Sequence, residues 1–194
     1  MDSFGGNISE ISMNQQLRRT LITGSAAFGV WDSQHFSAVH DYETWEAELL
    51  EEEDIERHIA AGHFVPITIY SDGAFEFEVR VGVGEARSSL NSRERQHLIA
   101  SSEPYLFRSA GELNISGIEF VEATPEEQVG QLQIIAGEYD IIVHHNAWEN
   151  EPGAKDAQGQ PSPEALADFV VLVNKSDGTV QNYQTEFNTF ESAT

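Results

Sequence analysis

A mainly β protein, an antiparallel β-sandwich carrying one acidic helix, is the fold class this sequence predicts, and three observations predict it. Apolar and polar residues alternate through 75–83. Phe75, Phe77, Val79, Val81 and Val83 fall on one face and Glu76, Glu78 and Arg80 on the other, the period of a half-buried strand. Further short apolar runs are punctuated by Gly, Pro, Asn and Asp, and no helix-length segment separates the later ones, which disfavours parallel βαβ units. Only 41–60 carries a clear helical period.

Taken in order, residues 1–16 are polar, contain Gly5-Gly6 and show no apolar period, so they read as a flexible tail. Leu21-Ile22-Thr23 and, after Gly24, Ala27 to Trp31 read as short strands, with 35–39 a third possibility. The segment DYETWEAELLEEEDIERHIA at 41–60 starts with Asp41 or Thr44 as a cap and stops at Gly62. Tyr42, Trp45, Leu49, Ile55 and Ile59 share its apolar face; Glu52 falls inside that arc, which leaves two short turns as an alternative.

From 64 to 70 the period is two, with Pro66 pointing to an edge or a strand start. Asp72-Gly73 is a hairpin signal leading into the 75–83 strand, whose Glu78 face is expected to meet water. Strand-like runs follow at 106–107, 113–121 with a bend at Gly117, 132–135 and 139–144. Residues 149–164 hold three of the six prolines and read as a mobile loop inside a single domain spanning 1–194. The run 169–173 needs a sheet to pair with, and 181–190 reads as a last edge strand.

Composition bounds function. Ten Lys and Arg against 33 Asp and Glu give a net charge of −23. Direct nucleic-acid binding through phosphate neutralisation needs a basic surface and is disfavoured, as is an anionic membrane. An opposite field is instead attracted, so a basic protein is the expected partner. No cysteine is present, which excludes disulfides, thiol catalysis and thiolate metal sites. The first residues lack a secretory apolar stretch, and the expectation is a cytoplasmic protein.

Catalytic motifs are missing: no P-loop, GxGxxG, HExxH, GxSxG or EF-hand loop is found. Gly82-Val83-Gly84 reads as a strand-end turn. His144 and His145 are neighbours on a strand and point to opposite faces, so they do not share one ion. No catalytic residue, cofactor or metal ligand is assigned. Arg87, Arg93, Arg95 and His97 form the one positive cluster and are expected to lie in a solvated loop or to pair with the helix carboxylates.

The acidic segment stands apart. Asp41, Glu43, Glu46, Glu48, Glu51, Glu52, Glu53, Asp54 and Glu56 precede the first base, Arg57. Like charges at i,i+4 oppose an isolated helix, so packing must offset them. Glu46, Glu48, Glu51, Glu52, Glu53, Asp54 and Glu56 are the candidate partner-binding residues, a strip of carboxylates that imitates a phosphate backbone and docks on a basic groove. The alternative reading of an acidic β-sandwich is a carbohydrate- or calcium-binding module.

An acidic Trp-containing segment from Trp45 to Gly62, then Gly111-Glu112-Leu113-Asn114-Ile115, then Gly137-Glu138-Tyr139-Asp140-Ile141-Ile142-Val143, is an order of signals that resembles the bacterial family of competence-type DNA-entry nuclease inhibitors and related immunity-like proteins. The resemblance covers about 20–175 and leaves the 149–164 loop without a counterpart. It implies an all-β body and a protein partner: a cytoplasmic inhibitor, without enzymatic activity of its own, that neutralises a basic toxin, a nuclease. No site residue is carried over from the family.

Overall fold

The computed structural model describes residues 15–82 and 86–190. Two sheets form a sandwich-like arrangement. The larger has six strands: β1 (Gln15–Thr23), β4 (Gly73–Val81), β10 (Phe169–Lys175), β9 (Gly137–Asn146) and β5 (Leu98–Ser101) in that order, with β6 (Tyr105–Ser109) also pairing with β9. The smaller runs β3 (Phe64–Thr68), β2 (Ala27–Trp31), β7 (Glu112–Gly117), β8 (Gly130–Gln133), all antiparallel. Between them lie Phe28, Val30, Val65 and Ile115 from the small sheet and Phe77, Val79, Ile141, Val143 and Val171 from the large one.

The larger sheet is mixed rather than antiparallel throughout, because β10 pairs parallel with β4 and antiparallel with β9. The continuous run Phe169-Val170-Val171-Leu172-Val173 has this position as its physical reason. All five side chains are buried, as a strand covered on both faces requires.

The chain reaches the two sheets by a doubled corner. β1 pairs with β4 and β2 pairs with β3, with Thr23 opposite Gly73 in one sheet and Ala27 opposite Thr68 in the other. Asp72-Gly73 therefore does not close a β3–β4 hairpin; it carries the chain from one sheet to the other. The Asp72 carboxylate accepts the Ala26 N–H at 3.0 Å and Ala26 adopts a left-handed φ of 51°, so both crossings are tied together. The connection closing β2 to β3 is the long excursion 32–63, and the helices sit on it.

That excursion holds two helices where one was expected: α1 (Tyr42–Leu49) and α2 (Glu52–Ala61). A third short helix, α3 (Ser92–Gln96), lies in the basic region. The 35–39 segment is not a strand but the end of a 3-10 turn at Ser33–Phe36, started by the Asp32 side chain, and the turn after it. Gln15 and Gln16, expected in the tail, are the first residues of β1; residues 1–14 lie outside the described residues, as does Val83 with Gly84 of the expected turn. The 181–190 segment is irregular rather than a strand, since its polar atoms bond instead to Pro66, Thr68 and Pro104.

The expected wet face of β4 is covered. Glu78 is buried, accepting Gln16 Nε2 at 2.5 Å and Arg80 Nε at 2.8 Å. Arg80 clamps Glu94 of α3, a carboxylate only 1% exposed, with both guanidinium amines. Leu90 beds on Val170 and Leu172 beside it. Residues 149–164 run as successive turns, with Trp148, Ala154, Ala165 and Leu166 in one cluster and Arg93 bonded to Glu151 and the Glu164 carbonyl. Strand alternation marks which side chains share a face, but not what later packs on it.

Urea denaturation separates these readings. Phe77→Ala removes a ring at the sheet–sheet contact and is expected to cost about 3–5 kcal/mol. Glu78→Ala, which a water-facing residue would tolerate within about 0.5 kcal/mol, is expected to cost roughly 1–3 kcal/mol because it removes a buried carboxylate and leaves the part-buried Arg80 guanidinium one charged partner short. A neutral Glu78→Ala would show that the cover over β4 is not formed in solution.

Candidate functional site

The helical excursion begins with a cap that the sequence encodes. The Asp41 carboxylate accepts the Thr44 N–H at 2.9 Å, while Thr44 Oγ1 accepts the Asp41 N–H at 3.1 Å, a reciprocal capping box. These hydrogen bonds hold the Asp41 carboxyl below the usual carboxylate range. Helix α1 ends at Leu50, and Glu51 is extended at φ −88°, ψ 138°. The break has an electrostatic benefit: Glu52, Glu53 and Asp54 become the first turn of a new helix, where the dipole favours acids. In one unbroken helix Glu52 would stand one turn from Glu48 and repel it. Gly62 closes α2 in the left-handed conformation at φ 76°.

Leu49, Ile55 and Ile59 are buried as expected. Trp45 is half-buried and donates its indole N–H to the Ile118 carbonyl at 2.9 Å. Tyr42, placed on the same face by angle, is 67% exposed. Its ring stacks on Trp45 with centroids 6.1 Å apart and planes at 20°.

The seven candidate carboxylates divide in two. Glu48 binds across the helix corner, accepting Arg57 Nη2 at 3.0 Å and meeting His58 Nε2 at 2.8 Å. Asp54 accepts Arg57 Nη1 at 2.6 Å, and Glu56 accepts the Phe187 N–H at 3.3 Å. These three have structural work to do, while Glu46 meets only the Tyr42 hydroxyl, at 3.5 Å. Glu51, Glu52 and Glu53 are exposed and take no hydrogen bond or ion pair among the described residues.

The arginines expected to answer the strip answer other acids. Arg87 reaches Asp140 and Asp177, Arg93 reaches Glu151, and Arg95 bonds the Leu90 carbonyl. They pin the cover of the large sheet, on the far side of the sandwich core from the small sheet.

Beside α1 lies a groove of about 510 Å³ that sequence reasoning missed. Trp45, Val39 and Val121 give it an apolar lining; Asp41, Glu119 and Glu122 supply carboxylates; Tyr42 and Leu50 border it, with His40 also present. Glu119 lies in the 3-10 turn at Ile118–Phe120 and Glu122 just after it, far from α1 in sequence. No sequence signal marked it, since Tyr42 reads there as part of the buried helix face. Burial, reinforced by Glu126, holds the Glu122 carboxyl above its usual range.

A histidine cluster adjoins α2. His35 and His63 stack at 4.0 Å with planes 9° apart, and His58 lies 5.8 Å from His63. His35 Nε2 meets the Arg108 carbonyl at 2.9 Å. Elsewhere, His144 meets Ser101 Oγ at 2.7 Å and His145 packs on Phe169 at 4.8 Å, on opposite faces of β9. No group of three or more His, Asp or Glu side chains converges as a metal site among the described residues.

No protein-family model matches this chain, and no curated protein matches it in sequence. Solved structures do. The fold matches the structure titled crocagin biosynthetic gene J with a TM-score of 0.58 at 13% identity, over 84% of this chain and 98% of that one. It also matches ComJ, described as the inhibitor of the DNA degrading activity of NucA from Bacillus subtilis, with a TM-score of 0.49 at 10% identity, over 85% of this chain and all of that one. At such identities the likeness is one of fold, and function has to be argued from the site.

The histidine cluster yields a pH prediction. Burial first, then the neighbouring His35, His58 and Arg108, lower His63 from 6.5 to about 4. The fold thus prefers the neutral ring. Its contribution is complete above 6.5 and is lost as pH falls from 6.5 toward about 4, where the unfolded chain takes up the proton and the folded one resists. The melting temperature of the wild type, measured against His63→Gln, is expected to drop across that window. A difference that stays flat would show that the ring titrates alike in both states.

Proposed function

We propose that this protein is an acidic inhibitor that acts by binding a basic partner protein, with a nuclease toxin as the target class and the cytoplasm as its place of action. One observation carries the reading: Glu51, Glu52 and Glu53 stand exposed and unpaired among the described residues at the start of α2, in a chain of net charge −23. Three carboxylates held on a packed helical corner present negative charge at close spacing, as a nucleic-acid backbone does. A groove that evolved to hold phosphates is lined by Lys and Arg, and meets such a surface as it meets its substrate. The family resemblance of the sequence supports the same target class.

The strip acts first on encounter rate. Opposite fields steer association over about a Debye length, about 8 Å at physiological salt. Direct contacts then set the lifetime of the complex. Glu48, Asp54 and Glu56 serve the reading indirectly, because their bonds to Arg57, His58 and Phe187 fix the corner on which the free acids stand.

Surface plasmon resonance against a panel of basic nucleases tests this reading. Replacing Glu51, Glu52 and Glu53 together by Lys is expected to slow association several-fold or more with the binding nuclease, and raising salt should slow the wild type toward the variant. Lysines at a helix N-terminus cost stability, roughly 0.3–1 kcal/mol each, so the Gln triple variant gives a milder arm with the same direction of change. An association rate and a degree of nuclease protection unchanged in the folded triple variants would overturn the strip as the interface.

A further inference from the structure

We infer that the groove between α1 and the 3-10 turn at Ile118–Phe120 is the seat of one arginine side chain presented by the basic partner; the identity of the partner as basic rests on the proposal above, while the chemistry of the seat rests on the groove itself.

Tyr42 and Leu50, 67% and 46% exposed, border a concavity of about 510 Å³. An exposed Tyr and an exposed Leu beside a half-buried Trp, rimmed by charge, have the make-up of an interface centre rather than of ordinary surface. The concavity has room for a long side chain together with the backbone that presents it.

The carboxylates then select the occupant. Asp41 is committed to the α1 cap, and Glu119 accepts Gly24 N–H at 2.6 Å and Thr23 Oγ1 at 3.0 Å. Both are thereby fixed in place as negative charges on the groove wall. Glu122 takes no hydrogen bond among the described residues, and it is crowded by Glu126. An anion entering here would be repelled, and a purely apolar ligand would bury Glu122 without a partner. A cation relieves both problems.

Arginine fits better than lysine. The Tyr42 and Trp45 rings lie within 20° of parallel, a surface on which a planar guanidinium can stack, and a carboxylate can take it by two parallel bonds. The ammonium of lysine offers neither plane nor fork and holds its water more tightly. On this assignment the Glu51–Glu53 strip attracts the partner and the groove anchors it.

The experiment uses acetylated hexa-arginine amide as the probe, with hexa-citrulline as its uncharged isostere and hexa-lysine as its point-charge counterpart. Binding is followed by the Trp45 indole N–H resonance and by calorimetry at fixed salt. Hexa-arginine is expected to shift the Trp45 resonance, hexa-lysine to shift it less, and hexa-citrulline to leave it in place. Tyr42→Ala and Glu122→Gln, both away from the buried core, should each weaken hexa-arginine binding about threefold to tenfold. The Glu51→Gln, Glu52→Gln, Glu53→Gln variant should weaken all cationic peptides while keeping the Trp45 shift. A silent Trp45 resonance with binding lost only in the strip variant would overturn the groove assignment and leave the basic-partner reading standing. Equal binding of hexa-citrulline and hexa-arginine would do the same, by making the groove an apolar site. Failure of both cationic peptides to bind the wild type at low salt would overturn both.

Discussion

Phe28 in the small sheet lies against Phe77 in the large one, ring centroids 4.7 Å apart, and Phe77 stacks on Phe169 at 5.1 Å. This row of rings joins β2, β4 and β10 across the sandwich, and the other elements are placed relative to it. Gly29, next to Phe28, serves the opposite face of β2, where a Cβ would stand 2.1 Å from the Phe64 ring. Burying rings of this size contributes about 1.5–3 kcal/mol for each side chain. Strands β2 and β3 are held by that contact, and the excursion between them has to leave and return at one end of the small sheet. Asp32 fixes its departure. The buried carboxylate accepts the Gln34 N–H at 3.0 Å and the Ala110 N–H at 2.7 Å, joining the end of β2 to the β6–β7 turn. The helices that carry the candidate site thus project from a rigid rim.

The charge of the chain is distributed with the same logic. Its few cations are largely used within the fold: Arg18 on Glu76, Arg57 on Glu48 and Asp54, Arg80 on Glu78 and Glu94, Arg87 on Asp140 and Asp177, Arg93 on Glu151, Arg108 on Glu138. Arg19 and Arg95 bond backbone carbonyls. The excess of acids is what remains to face solvent. Individually the exposed pairs stabilise little, about 0–1 kcal/mol. The buried Arg80–Glu94 clamp is different, because losing one partner strands the other inside the protein. Internal use of the arginines is the reason that a negative surface and a well-packed large sheet coexist.

Much of the strand layout could be read from the chain, since a two-residue period is a local property. The run 75–81 showed its core face directly, and Phe77, Val79 and Val81 are buried. The helix start and stop were equally local: Asp41 with Thr44 builds the cap, and Gly62 accepts the left-handed turn. The acidic strip was legible as composition. Its division was not, because whether Glu48 or Glu51 is free depends on where Arg57 and His58 fall once the helix breaks.

The remaining features were decided between residues far apart in sequence. Alternation placed Glu78 and Arg80 together on one face of β4, but whether water or α3 covers that face depends on a segment more than ten residues on. Asp72-Gly73 marks a turn, and only the pairing of Thr23 with Gly73 and of Ala27 with Thr68 shows that the turn leads to another sheet. The groove beside α1 exists because Glu119 and Glu122 arrive from the other end of the small sheet. By itself, then, the sequence determined the periods, the caps and the sign of the charge, each written in neighbouring residues. Which faces are covered, which acids are free and where a cation can sit were left to the tertiary structure, because these depend on long-range contacts that no local pattern records.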